Sequence, residues 1–188
     1  MSDRSDDAVS SARPDVTALL GDGGGVGRWV LDPAGSRAEF HVKHFWGAVT
    51  VHGSFGQITG EGAIGMDGTV TGRLSIAAPS LGTKNKKRDE HLRSAEFFDV
   101  EHHPEVVVTV TDAQLAGLAT LACRGTLEAA GHTQAISFNA QVEDASAQAA
   151  TVRAELLVDR TGFSMTWSPL GMASKNALAT VVARFVRP

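Results

Sequence analysis

A single cysteine, Cys123, among 188 residues means that no disulfide can form within the chain, which suits a reducing compartment. Its place between Leu121 and Gly125, in a strand-like run, marks it as a buried and inert thiol. Basic excess is also missing. The net charge is -4 at pH 7, which weighs against nucleic acid as a partner, because such a partner calls for a basic face. Near the N-terminus Asp3, Asp6 and Asp7 come first, and the longest apolar run is Ala18-Leu19-Leu20. A secretory signal or an integral membrane segment needs a longer apolar core than that. The expected location is therefore cytoplasmic.

Signatures of catalysis are scarce as well. The chain has no G-x-S-x-G elbow, no G-x-x-x-x-G-K-[ST] loop and no H-E-x-x-H. Gly21 to Gly27 is glycine-rich, but no strand precedes it to make a phosphate cradle. Of the seven histidines, His41 and His44 fall on opposite faces of one strand, and His102 and His103 point apart if extended. A transition metal needs three or four converging ligands. No metal, no resident cofactor and no catalytic residue are expected.

What is present is an ordinary globular composition, 43% hydrophobic and 20% charged, in a chain long enough for one domain with a sizeable core. Residues 1–27, rich in Gly, Ser and Asp, read as a disordered tail, with room for a short helix around Asp15 to Leu20. The domain is assigned to residues 28–188. From Arg28 onward, period-two segments alternate with Gly, Pro and Asp turns. Ala38, Phe40, Val42 and His44 share one parity, followed by Val49, Val51, Gly53 and Phe55, then Val70, Gly72, Leu74, Ile76 and Ala78. Further on come Val106, Val108 and Val110; Leu121, Cys123, Gly125 and Leu127; and Ile136, Phe138, Ala140 and Val142. Val152, Ala154, Leu156 and Val158, then Ala177 to Phe185 on odd positions, complete the series. Each set faces inward while polar neighbours face water. About eight or nine such strands, without helices between consecutive ones, predict a closed all-β antiparallel barrel.

The inner parity is short of bulk. Ala38, Gly53, Gly72, Ala78, Gly125, Ala140, Ala154, Ala179 and Ala183 occupy it beside Val and Phe. Small linings leave room for a ligand, unless these residues instead relieve crowding at bends and bulges. Phe163, Met165 and Trp167 alternate on one parity of a further segment and offer flat or adaptable apolar surfaces. His44 ends its apolar parity, either as a structural histidine or as a grip on a ligand's polar end.

One stretch breaks the pattern: TKNKKRDEHLRSAEFFDVEHHP, from Thr83 to Pro104. Its charges and apolar edge predict an amphipathic helix ending near Phe97, barred from the next strand by Pro104. A helix with two adjacent phenylalanines, set between strands, is read as a plug or lid over a barrel end. Its basic run, Lys84 to Arg88, reads as a solvated face, the alternative being contact with an anionic head group. Asp99 is expected to turn the chain as the helix ends.

This stretch resembles the signature of the YceI-like family, N-x-K-R-D-x-H-L-[RK]-S-x-[DE]-F-F-D followed by a spacer and Pro. The resemblance extends to the block around Trp29 to Pro33, to Ser36, Phe40, His44 and VHGSF at Val51 to Phe55, and to RTGFSMTW at Arg160 to Trp167. Gly35 stands where the family commonly has His at what would be the barrel entrance, and His103 where a Tyr often precedes the Pro. The resemblance implies a lipocalin-like barrel of about eight strands holding a long apolar molecule, polyisoprenoid, quinone-like or fatty-acid-like. The expected contacts are Phe40, Val42, His44, Val51, Phe55, Leu74, Ile76, Val108, Ile136, Phe138, Leu156, Phe163, Met165 and Trp167, with Phe97 and Phe98 closing the end. An enzyme using His44 and a nearby carboxylate is the alternative, and an interaction protein with a filled core is a third. Outer apolar residues Val107, Leu157, Val182 and Val186 suit a homodimer face.

Overall fold

The alternation is realised as eleven strands in one antiparallel sheet, in a computed structural model that describes residues 16–188. They are β1 (Gly27–Leu31), β2 (Arg37–His44), β3 (Val49–Phe55), β4 (Ile58–Ile64), β5 (Val70–Ala77), β6 (Leu81–Gly82), β7 (Glu105–Leu115), β8 (Thr120–Ala129), β9 (His132–Ala145), β10 (Ala149–Asp159) and β11 (Ala173–Val186). Two helices, α1 (Val16–Leu20) and α2 (Lys86–Arg93), accompany them.

Six of these strands are halves of three longer ones. β11 pairs with β2 through Ala173 to Val182 and with β1 at Phe185 and Val186, so β1 and β2 form one edge broken at a 3₁₀ turn, Pro33–Gly35. Asp32 caps that turn by accepting from the Ala34 amide at 3.1 Å. β3 and β4 follow as the next broken strand, pairing with β2 and β1 respectively, and β5 with β6 make the third. Counted this way, eight strands run up and down in chain order, and β11 closes onto the first. The barrel is complete, with β11 antiparallel to both halves of its partner.

α1 covers one end. Val16, Leu19 and Leu20 are buried against Trp29, Ile64, Leu121 and Val142. The Trp29 indole donates to the Gly25 carbonyl at 2.8 Å, and Arg187 lies over the Trp29 ring while donating to Gly24 and Val26 carbonyls. The tail expectation therefore fails for residues 16–27, which are built into the barrel end, and the helix foreseen near Asp15 to Leu20 is the plug itself. The rest of that expected tail, residues 1–15, lies outside the described residues.

α2 sits at the opposite end and is shorter than expected. Asn85 caps it by accepting from the Arg88 amide at 3.1 Å, and the helix stops at Arg93, not near Phe97. Ser94 is extended and its hydroxyl donates to His91 O at 2.8 Å. The chain then folds back, with the Phe98 amide on Leu92 O and the Val100 amide on Arg93 O. Asp99 turns the backbone with φ 46°.

Two glycines on the inner parity have packing reasons. A Cβ on Gly53 would fall on the Phe40 ring, so that ring fills the space the glycine leaves. A Cβ on Gly125 would meet the Thr109 carbonyl, where β7 bulges between Val110 and Asp112. Ala38, Gly72, Ala140, Ala154, Ala179 and Ala183 do line open space, whereas Gly53, Ala78 and Gly125 do not. The expected dimer face is not intact either: Val107 and Val182 are buried, at 5% and 3% exposure. Val182 is flanked across the ladder by Arg37 and Arg153, whose aliphatic stems suit covering it.

Leu19→Ala is expected to destabilise the fold by about 2–4 kcal/mol in urea unfolding, as a buried leucine does; an unchanged midpoint would return α1 to the status of a tail.

Candidate ligand-binding site

Between the α1 plug and the α2 end lies a cavity of about 380 Å³. Every contact residue expected from the sequence lines it: Phe40, Val42, His44, Val51, Phe55, Leu74, Ile76, Phe97, Phe98, Val108, Ile136, Phe138, Leu156, Phe163, Met165 and Trp167. The strand alternation delivers most of them. Phe163, Met165 and Trp167 arrive differently: Arg160–Phe163 is a 3₁₀ turn and Ser164 has φ 60°, so their common side comes from a folded loop and not from a strand.

Aromatic edges tile the α2 end. Phe40 meets Phe55 at 5.6 Å between centroids, and Phe55 meets Phe98 edge-on at 5.8 Å. His91 contacts Phe97 at 5.1 Å and Trp167 at 4.6 Å, and its Nε2 lies 2.5 Å from Glu96 Oε2. Edge-to-face contacts of this kind hold rings in place without filling the bore between them. Trp167 lines the cavity yet is 41% exposed, so the bore reaches the surface here.

Several lining residues carry no alternation signal and escape sequence reading. Val16, Leu19, Leu20 and Trp29 supply the blind end. Arg160 is 7% exposed and supports the open end. Its Nε donates to Ser174 O at 2.8 Å, one Nη to Met165 O and to Trp167 O at 3.0 Å, and the other to Ala173 O at 3.4 Å. The guanidinium thus ties the loop after β10 to the start of β11 through four carbonyls, and burial pulls its pKa below the usual arginine value.

The basic run is only partly a solvated face. Lys84, Lys86 and Lys87 are exposed. Arg88, however, donates to Thr83 Oγ1 at 2.7 Å and Thr83 O at 2.9 Å, while Asp89 accepts from the Thr83 amide at 2.8 Å. Arg93 donates to Pro79 O at 2.9 Å and to Leu81 O. These charged side chains rivet α2 to the rim formed by residues 79–83.

His44 lines the mouth, and its charged neighbours are Arg160 and Arg88. Among the described residues no hydrogen bond joins it to a carboxylate, and the charges that face it are both cationic. Burial first, then the two guanidinium charges, lower its pKa below 6.5. Gly35 is not at the entrance: it lies outside the barrel, where a Cβ would press on the Arg184 stem. His103, in the place of the family's Tyr, packs over the Ala130-Gly131 hairpin. Cys123 is buried with its thiol pushed up to about 11, as an inert thiol should be.

The folded chain takes up the His44 proton only below pH 6.5, whereas the unfolded chain binds it near that value. The contribution of neutral His44 to stability is thus complete above pH 6.5 and declines as pH falls through the window beneath it. Imidazole resonances followed by NMR should give His44 a midpoint below 6.5 that rises in Arg88→Met; a midpoint at or above 6.5 contradicts the placement. Arg160→Met, which strands the buried Met165 carbonyl and three part-buried ones, should cost about 2–4 kcal/mol in thermal or urea unfolding.

The architecture has known counterparts. The crystal structure of BcnA from Burkholderia cenocepacia superposes with a TM-score of 0.75 at 14% identity, covering 82% of this chain and 98% of that one. A polyisoprenoid binding domain from Saccharophagus degradans, implicated in plant cell wall breakdown, gives 0.69 at 21% identity over 85% and 98%. The YceI protein of Campylobacter jejuni gives 0.64 at 19% identity over 73% and 85%. At these identities the likeness is one of fold. In sequence, UPF0312 proteins of Staphylococcus aureus strains MRSA252 and N315 are 32% and 33% identical over 98 residues, 50% of this chain. The match spans 57% of the length of those relatives. The model of the YceI-like domain matches residues 29–185, from the Trp29 that packs on the plug to the Phe185 that closes the ring. By that match over the whole strand series, the chain belongs to the YceI-like family.

Proposed function

We propose that the barrel binds a long apolar molecule non-covalently and serves to sequester or carry it. The observation that carries this reading is the open bore of about 380 Å³, lined by Ala, Val, Leu, Ile and Phe side chains and entered at one end. Its size falls within the range of small-molecule sites. An isoprenoid chain suits the shape, and the Saccharophagus degradans neighbour, described as a polyisoprenoid binding domain, supports that choice over other greasy molecules. Quinone-like and fatty chains share the chemistry.

The driving force is removal of apolar ligand surface from water, about 0.8 kcal/mol per buried CH₂ group before the costs of association are subtracted. A five-carbon unit fully inside contributes roughly 4 kcal/mol gross on that scale. Directionality comes from the two ends. Leu19, Leu20 and Trp29 meet the apolar terminus, while His44 and Arg88 at the mouth meet the polar one. Aromatic and methionine surfaces at Phe97, Phe163, Met165 and Trp167 adapt to branched methyl groups along the chain.

Native mass spectrometry and organic extraction of purified protein should reveal a co-purified lipid. Ala154→Trp, which places an indole in the bore, should keep the circular dichroism spectrum and weaken uptake of prenyl and fatty probes by roughly ten-fold or more. A wild-type protein that is empty as purified and indifferent to both probe classes sinks the proposal.

A further inference from the structure

Bulky apolar side chains stand outside the cavity at its open end. The turn between β2 and β3 presents Phe45 at 51% exposure and Trp46 at 79%, and the loop entering β11 presents Leu170 at 86%. Ala173 pairs with His44, so both loops leave the same rung of the sheet, and both of those residues line the cavity. The exposed tips therefore rim the mouth. Their backbones are unusual: φ is 51° at Phe45, 54° at Trp46 and 53° at Leu170. L-residues of this bulk disfavour the left-handed region, and loops that hold them there cluster at functional sites. Hydrophobic collapse would turn such side chains inward, yet these point to water.

Cations predominate beside the tips. Residues 84–88 hold four cations, Lys84, Lys86, Lys87 and Arg88, and no anion, in a chain of net charge -4. The three lysines are exposed, as is Lys43 next to the tips. Lys84 and Arg88 share a surface cleft with Val49 and Thr50, directly after the Phe45–Gly47 turn. Glu39 faces the same cleft and Glu90 follows on α2, while the Asp89 carboxylate is engaged by Thr83. An apolar tip flanked by lysines is the composition that binds at the headgroup level of an anionic bilayer, where Trp and Phe settle and cations meet lipid phosphates.

We propose that the open end of the barrel docks on an anionic lipid bilayer, inserting Phe45, Trp46 and Leu170 while Lys84, Lys86 and Lys87 contact the headgroups. The inference rests on the carriage reading for its purpose: an insoluble guest passes between bilayer and bore without crossing water. The orientation follows from geometry, since the α1 plug closes the far end.

Flotation of the ligand-stripped full chain with phosphatidylcholine vesicles, with and without phosphatidylglycerol, tests the docking. The wild-type protein should float with the anionic vesicles and far less with the neutral ones. The double variant Trp46→Ser/Leu170→Ser should bind roughly ten-fold more weakly, and Lys84→Glu/Lys86→Glu/Lys87→Glu should lose the salt-sensitive part. Neither set lines the cavity, so uptake of a fluorescent fatty-chain probe from cyclodextrin should match the wild type in both. Wild-type protein that stays in the aqueous layer, or a Trp46→Ser/Leu170→Ser variant that floats as well as the wild type, overturns the proposal. Self-association through the tips, abolished by the same variant and accompanied by no flotation, also overturns it and gives the patch to a second copy. Intact flotation with no probe uptake by the wild type would instead sink the carriage reading and leave the docking standing.

Discussion

Closure of β11 onto both halves of the first, broken strand is the constraint from which the rest of the molecule follows. Ladder hydrogen bonds fix the circumference, because strand spacing varies little. Once eight strands define the ring, the volume inside is set before any side chain is chosen. Ala140, Ala154, Ala179 and Ala183 are too short to reach across it, so the bore that backbone pairing defines is left open by its lining. The same pairing satisfies the backbone polar groups that an apolar interior could not tolerate. Trimming the lining therefore leaves the wall standing, which is how a hollow core coexists with a stable fold.

The ends are held by chemistry of another kind. Arg88, Arg93 and Arg160 spend their donors on carbonyls of Thr83, Pro79, Leu81, Ser174, Met165, Trp167 and Ala173. A planar guanidinium offers five donors in a fixed fork, spread wider than the three on a compact lysine ammonium. The arginines of the charged insert thus act as fasteners for α2 and the rim, and the lysines beside them stay in water. Identical formal charges in one short segment serve two purposes, separated only by donor geometry.

Much of this was legible in the chain. Period two placed Phe40, Val51, Leu74, Val108, Ile136 and Leu156 on one surface, and the barrel turned that surface into a lining. The signal faded wherever alternation did. β4 contains Gly60 and Gly62 between its isoleucines, so its inner face has no apolar rhythm to detect. α1 is five residues long and runs into a glycine-rich stretch, which makes a tail the natural expectation; its burial depends on Ile64, Leu121 and Val142, distant partners that no local window contains. The end of α2 was misplaced because Phe97 and Phe98 continue an apolar edge, while Ser94 bonds back to His91 and stops the helix. Arg160 gave no hint of burial, since its four acceptors come from a loop and a strand start that only the fold brings together.

The α1 plug makes the barrel a sock, not a pipe. On the proposed carriage, a guest would go in with its hydrocarbon tail leading and come out with that tail trailing, so that among the described residues loading and release would use the doorway opposite the plug and could not overlap. Homologues of different length within one series would all press the same toe, formed by Leu19, Leu20 and Trp29, and any surplus carbons would accumulate at the cuff beside His44 and Trp167. Selectivity for chain length would then be expressed outside the wall, through how much of each guest is left protruding.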